Sequence, residues 1–179
     1  MWRTTSTRPV YENPWIRVRE DEVVRPDGTP GMYGVVEVRS PAVFVIAVTD
    51  AGEVVLVTVD RYTTGRATPE VPAGGSDGED LLAAAHRELR EETGMAAANW
   101  RPIGTVDSLN GVATAPGQVF LATELTEVGG SETEVEGITA VHRVPWADLI
   151  AMIRGGEITD NETLGALMLA VVALDLIRI

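Results

Sequence analysis

A chain of 179 residues, 45% of them apolar, fits one main domain with room for a small appendage. Its 14 basic and 27 acidic side chains leave a net charge of −13, which argues against nucleic-acid backbone or an anionic membrane surface as a partner. Cysteine is absent, which excludes disulfides, thiol catalysis and cysteine-ligated zinc.

In chain order, residues 1–14 read as a flexible lead with no apolar signal core, so a cytoplasmic protein is expected. Two strand-like stretches follow, Ile16–Val24 and Tyr33–Arg39, around the turn-forming spacer Pro26-Asp27-Gly28-Thr29-Pro30-Gly31. Residues 1–40 thus form a small N-terminal β unit, and residues 41–179 the main domain. Ala42–Val48 is a continuous apolar run, as expected of a strand buried on both faces. Thr49-Asp50-Ala51-Gly52 turns the chain, and Glu53–Val59 returns to complete an expected hairpin.

A helix is expected over about Glu79–Thr93, capped by Asp77 or Ser76 at its start and by Gly94 at its end. Strands are expected near Arg101–Asp107, at Val119–Glu124 and at Ile138–Val144. A short helix from Pro145 stops at Gly155-Gly156, and Thr159-x-x-Glu162 reads as a capping box for a last helix to about Ile177. The apolar run Leu164–Leu174 is too short to span a bilayer. Strands around one central helix suggest a mixed-sheet α/β (α+β) sandwich.

The central helix carries the chemistry. Glu88, Glu91 and Glu92 stand at i, i+3 and i+4, on one helical face. Like charges so close repel, and a divalent cation bound between them reverses the sign. Carboxylate oxygens suit Mg²⁺ or Mn²⁺, and Mg²⁺ reaches for substrate phosphates. A solvated acidic face, partly offset by Arg87 and Arg90, is the bland alternative.

Context favours the metal. Glu79, seven intervening residues, then Arg87-Glu88-Leu89-Arg90-Glu91-Glu92-Thr93-Gly94-Met95 resembles the Nudix hydrolase signature G-x5-E-x7-R-E-U-x-E-E-x-G-U, with U aliphatic. The first half departs from it. Four residues separate Gly74 from Glu79 where the pattern has five, and Ala73 takes the glycine position. The stretch Asp60-Arg61-Tyr62-Thr63-Thr64-Gly65-Arg66, followed by Glu70-Val71-Pro72-Ala73-Gly74, resembles the ADP-ribose pyrophosphatase branch of that family. One further departure is that Gln118-Val119-Phe120 follows Pro116-Gly117, where the branch carries an acidic residue.

The resemblance implies an α/β/α sandwich and Mg²⁺-dependent (or Mn²⁺-dependent) hydrolysis of a nucleoside diphosphate linked to another group, ADP-ribose first, yielding AMP and ribose 5-phosphate. It implies that the Ala73 backbone carbonyl, Glu88 and Glu92 hold the metals. Glu91 supports them directly or through water, and Arg87 orients a carboxylate. The base that activates water would sit on the loop Ser131–Gly137, with Glu136 ranked before Glu134. Arg61 is the best candidate for a phosphate contact. Tyr33 and Trp15 are candidates for stacking adenine across a homodimer. Glu70 is either a solvated strand-end charge or a group near the metals. Other nucleotide sugars or nucleoside triphosphates as substrates, or a non-catalytic nucleotide sensor, are the alternatives.

Overall fold

The structure, a computed structural model, describes residues 1–177. Its N-terminal unit is an antiparallel meander of β1 (Arg3–Glu12), β2 (Ile16–Val24) and β3 (Pro30–Val38). Both turns carry their own chemistry. The Asn13 side chain accepts from the backbone N–H groups of Trp15 and Ile16, and Asp27 accepts from that of Thr29 beside Gly28 at φ +88. The expected flexible lead is therefore a full strand. Every residue of β1 is exposed, so it lacks the alternation of apolar and polar residues that marks a strand. Pairing with β2 and contacts such as Arg8 to Glu20 hold it instead.

The main domain runs β4 (Ala42–Ala47), β5 (Glu53–Arg61), β6 (Arg66–Glu70), β7 (Ala73–Gly75), α1 (Leu81–Thr93), β8 (Met95–Asp107), β9 (Ala113–Thr114), β10 (Pro116–Glu127), β11 (Ile138–Pro145), α2 (Trp146–Gly155) and α3 (Asn161–Ala173). One sheet has the order β7-β4-β10-β8 and is mixed, because β4 and β10 run parallel while their other neighbours are antiparallel. The second sheet is β11-β5-β6. Strand β9 pairs with β3 and stitches the N-terminal unit to the main domain.

The expected hairpin of β4 and β5 is corrected. Beyond a single bridge between Val48 and Val54 the two strands part into different sheets. Both are apolar on both faces, so each needs cover from two sides, which a shared two-strand ribbon does not supply. Phe44 and Ile46 join Val54, Leu56, Leu149, Leu167 and Ala170 in a core under α2 and α3. Val43, Val45 and Ala47 face the other way, onto Ala84, Ala85 and Leu89 of α1. Helices thus cover both sides of the strand layer, and the expected α/β/α sandwich holds.

Two helix starts also differ from expectation. Asp80 caps α1, accepting from the N–H groups of Leu82 at 3.0 Å and Ala83 at 3.3 Å, while Asp77 turns the loop at φ +48. Asp160, not Thr159, caps α3, accepting from the Thr163 N–H at 2.7 Å. In each case an aspartate nearer the first helical turn wins the cap. The last helix also ends at Ala173, short of Ile177. Gly94 closes α1 in the left-handed conformation, φ +71, as expected. No helix among the described residues is long and apolar enough to cross a membrane.

Candidate active site

The inward arc of α1 is apolar through Ala84, Ala85 and Leu89, and that packing drags Glu88 and Glu92 inward with it. They retain only 6% and 5% exposure. Opposite them runs β7, paired to β4 through Phe44 with Ala73 and Val43 with Gly74. The Ala73 N–H donates to Glu92 at 3.0 Å. Gly74 lies so close to Glu88 that a Cβ there would fall 2.1 Å from its Oε1. A side chain at position 74, one residue nearer Glu79 than the sequence pattern places its glycine, would therefore displace the Glu88 carboxylate.

Arg87 ties helix and loop together. It donates to Glu88 at 2.7 Å, Glu91 at 3.1 Å, Glu79 at 3.2 Å and the Gly75 carbonyl at 2.8 Å. Its expected orienting role has this geometry. The same bonds draw Glu88 and Glu91 towards the guanidinium while Glu92 turns to the Ala73 N–H. Among the described residues, no three acidic or imidazole side chains converge in an arrangement that could hold a metal.

The electrostatics show what the cluster lacks. Burial raises the Glu88 carboxyl above its ordinary value, against the pull of Arg87. Burial likewise pushes Glu92 up to about 8, with Glu88 and Glu136 adding repulsion and the Ala73 N–H and Arg61 opposing it. Two buried carboxylates, of which only Glu88 bonds a cation among the described residues, are a hard-oxygen donor set suited to a divalent cation. The residues fit such an ion in kind, because Arg87 bonds Glu88 through Oε1 and Oε2 accepts from no group among the described residues.

A cleft of about 470 Å³ opens over this pair, lined among others by Trp15, Arg61, Ala73, Glu88, Glu92 and Glu136. A second cavity of about 500 Å³ adjoins it, sharing Val38, Ser40 and Arg61 and carrying the hydroxyls of Thr63, Thr64, Ser108 and Thr159. Arg61 stands between the two. Its guanidinium bonds Glu70 through Nε at 3.1 and 3.2 Å and through Nη2 at 2.7 Å. Glu70 is 5% exposed, so its reading as a solvated strand-end charge is corrected. The alternation of residues along the strand puts it on the inner face, opposite Val57.

The cleft thus gathers six of the sequence candidates: Trp15, Arg61, Ala73, Glu88, Glu92 and Glu136. Three stand apart from its lining. Glu91 faces Arg87 and Arg90 on the flank of α1. Glu134 is exposed on its loop. The Tyr33 hydroxyl donates to the Gly111 carbonyl at 2.6 Å and its ring meets Trp2 edge-on at 5.5 Å. Gln118, at the position read as missing an acid, donates to the Gly104 carbonyl at 2.7 Å, beside the β-bulge where β10 meets β8. Sequence reasoning missed Ser40 and Gly75 as lining residues. Ser40 lies in no motif, and Gly75, inside the stretch that leads to Glu79, offers backbone alone.

Known proteins resemble this chain along most of its length. A family model described as the NUDIX domain matches residues 38–164, and one described as the nucleoside diphosphate sugar hydrolase N-terminal domain matches residues 2–36. The chain is 33% identical over 163 residues to an ADP-ribose pyrophosphatase of Mycobacterium tuberculosis, covering 89% of this chain and 78% of that one. It is 29% identical to an ADP-ribose pyrophosphatase of Bacillus subtilis, covering 90% and 88%. A solved structure titled as an ADP compounds hydrolase superposes with a TM-score of 0.85 at 19% identity, covering 97% of this chain and 94% of the other, a likeness of fold.

Proposed function

The chain belongs to the Nudix family of pyrophosphohydrolases, and from that premise we propose that it hydrolyses the diphosphate bridge of a nucleoside diphosphate linked to a sugar, with ADP-ribose as first substrate. The observation that carries this reading is the burial of Glu88 and Glu92 in one cleft with Arg61, Trp15 and Glu136. The relatives' activity on ADP-ribose and the N-terminal unit support the choice of substrate.

Glu88, Glu92 and the Ala73 carbonyl would hold Mg²⁺ or Mn²⁺, with Glu91 in support through its bond to Arg87. When bound, such ions neutralise diphosphate oxygens and make a coordinated water more acidic. Glu136 accepts the proton of the attacking water, because it is the loop glutamate that lines the cleft. Arg61 meets a phosphate oxygen with a planar, permanently charged fork. Trp15, 72% exposed at the rim, offers a flat face to the adenine. The unit of residues 1–40 acts as a dimerisation element. Its exposed Trp2, Val10, Tyr11 and Met32 supply an apolar surface for a second copy.

The test is a panel of ADP-ribose, GDP-mannose and nucleoside triphosphates with Mg²⁺, read by release of nucleotide products. AMP from ADP-ribose is the expected result. Cleavage of none of them overturns the enzymatic reading, and preference for triphosphates overturns the substrate. Glu92→Gln should cut turnover about 10²–10³-fold, the scale of losing one charge-stabilising group, without unfolding the protein.

A further inference from the structure

We infer that Glu70 is a positioning residue which, with Thr68, fixes the Arg61 guanidinium between the two cavities so that its free edge meets the substrate diphosphate. The inference rests on the reading of Arg61 as a phosphate contact. It concerns what holds Arg61 in place, which that reading does not address.

The strand register sets the arrangement. In the β5–β6 hairpin Val57 pairs with Glu70, Val59 with Thr68 and Arg61 with Arg66. Residues directly opposite in an antiparallel pair share a face, so Arg61, Thr68 and Glu70 lie along the same side of the hairpin. The Arg61 side chain folds back along that side to reach Glu70. The carboxylate is taken up on both oxygens, by Arg61 Nε and Nη2 and by the Thr68 hydroxyl at 2.7 Å. Thr68 and Glu70 are 8% and 5% exposed, while the Arg61 side chain keeps 45%. The anchor is in the wall and the guanidinium is at the surface of the cleft.

The geometry also selects the cation. Arg66 lies on the same face but turns to the Thr159 hydroxyl at 3.5 Å, leaving Glu70 to Arg61. Guanidinium carries five N–H donors. Glu70 engages the Nε edge, and Nη1 has no hydrogen-bond partner among the described residues. A fork gripped along one edge presents the other in a fixed plane, which suits an anionic phosphate oxygen. Val71 and Val57 beside Glu70 are fully buried, so an apolar side chain at position 70 would pack there without the cost of burying a charge. A carboxylate at this place therefore acts through its partner.

The experiment measures kcat and KM for ADP-ribose with Mg²⁺ in the 179-residue chain, together with the Kd for ADP by calorimetry. The variants are Glu70→Gln, Arg61→Ala and the double substitution. Glu70→Gln should lower kcat/KM about 10- to 100-fold, as loss of an orienting partner does, and weaken ADP binding. In the Arg61→Ala background it should change either quantity less than about 2-fold, because neighbours acting as one unit are not additive. Losses that add, or kinetics of Glu70→Gln equal to the unsubstituted protein, overturn the inference. Should Glu70→Gln not fold, Thr68→Val removes one support while keeping the ion pair, and an unchanged kcat/KM there overturns it. If the unsubstituted protein cleaves no substrate, the hydrolase reading fails by itself. The ADP titration then decides the positioning role, and equal Kd values for Glu70→Gln and the unsubstituted protein overturn it.

Discussion

Gly74 has no side chain because the Glu88 carboxylate occupies the place where one would stand. The obstructing atoms end a flexible side chain, so a methyl group there displaces the carboxylate more readily than the backbone. Gly74→Ala should therefore leave the melting temperature nearly unchanged and weaken Mg²⁺ affinity about 10- to 100-fold, measured by calorimetry. Glu92 makes a second prediction at this scale. Its folded value of about 8 lies above its ordinary value of 4.5, so the native state favours the protonated form. That stability is fully present below about pH 4.5 and is lost as pH rises through about 8. In chelator, the Tm should fall across this window, and Glu92→Gln should flatten the fall. Added Mg²⁺ should raise the Tm most at the alkaline end, because cation and proton compete for the same oxygens. The acids themselves were legible in the sequence as a run at helical spacing. Their burial, and that of Glu70, was not, because burial depends on which face a neighbouring strand covers.

At the scale of elements, α1 is anchored at both ends by local chemistry. Asp80→Ala should cost about 1 kcal/mol in chemical denaturation, the usual cost of losing a side-chain cap. Removing Asp77, which turns the loop at φ +48, has no such effect on the helix start. The existence and order of the helices were readable from apolar spacing and from Gly94 and Gly156, both in the left-handed region. The strands β6, β7 and β9 were not read, because none exceeds five residues and their composition is that of loops. The partition of β4 and β5 into separate sheets was hidden for another reason. A short turn between two apolar runs signals a hairpin locally, and only their two-sided burial demands cover on both faces.

At the scale of the whole molecule, the N-terminal meander joins the main domain through the short β3–β9 pairing and presents Val10 and Met32, 55% and 64% exposed. The proposed self-association would use this exposed apolar surface. Val10→Glu with Met32→Glu should convert a dimer to a monomer in light scattering while the Tm stays within a few degrees. An unchanged mass would assign dimerisation to another face, and a monomeric parent protein would remove it altogether.

The parallel pair at the centre has a further consequence, for the order in which the molecule can be made. Ala42 opens a strand whose partner begins at Gly117, and α1 is encoded between them. A ribosome that has released β4 and the helix has not yet produced the strand that locks them side by side. Two valines, a phenylalanine and an isoleucine of β4 must wait unpaired on that edge through much of translation. Distant pairings of this kind slow folding and expose apolar strand to neighbouring chains. Yield in the cell should therefore be governed by the delay before Gln118–Ala122 emerges, more than by the stability of the finished fold.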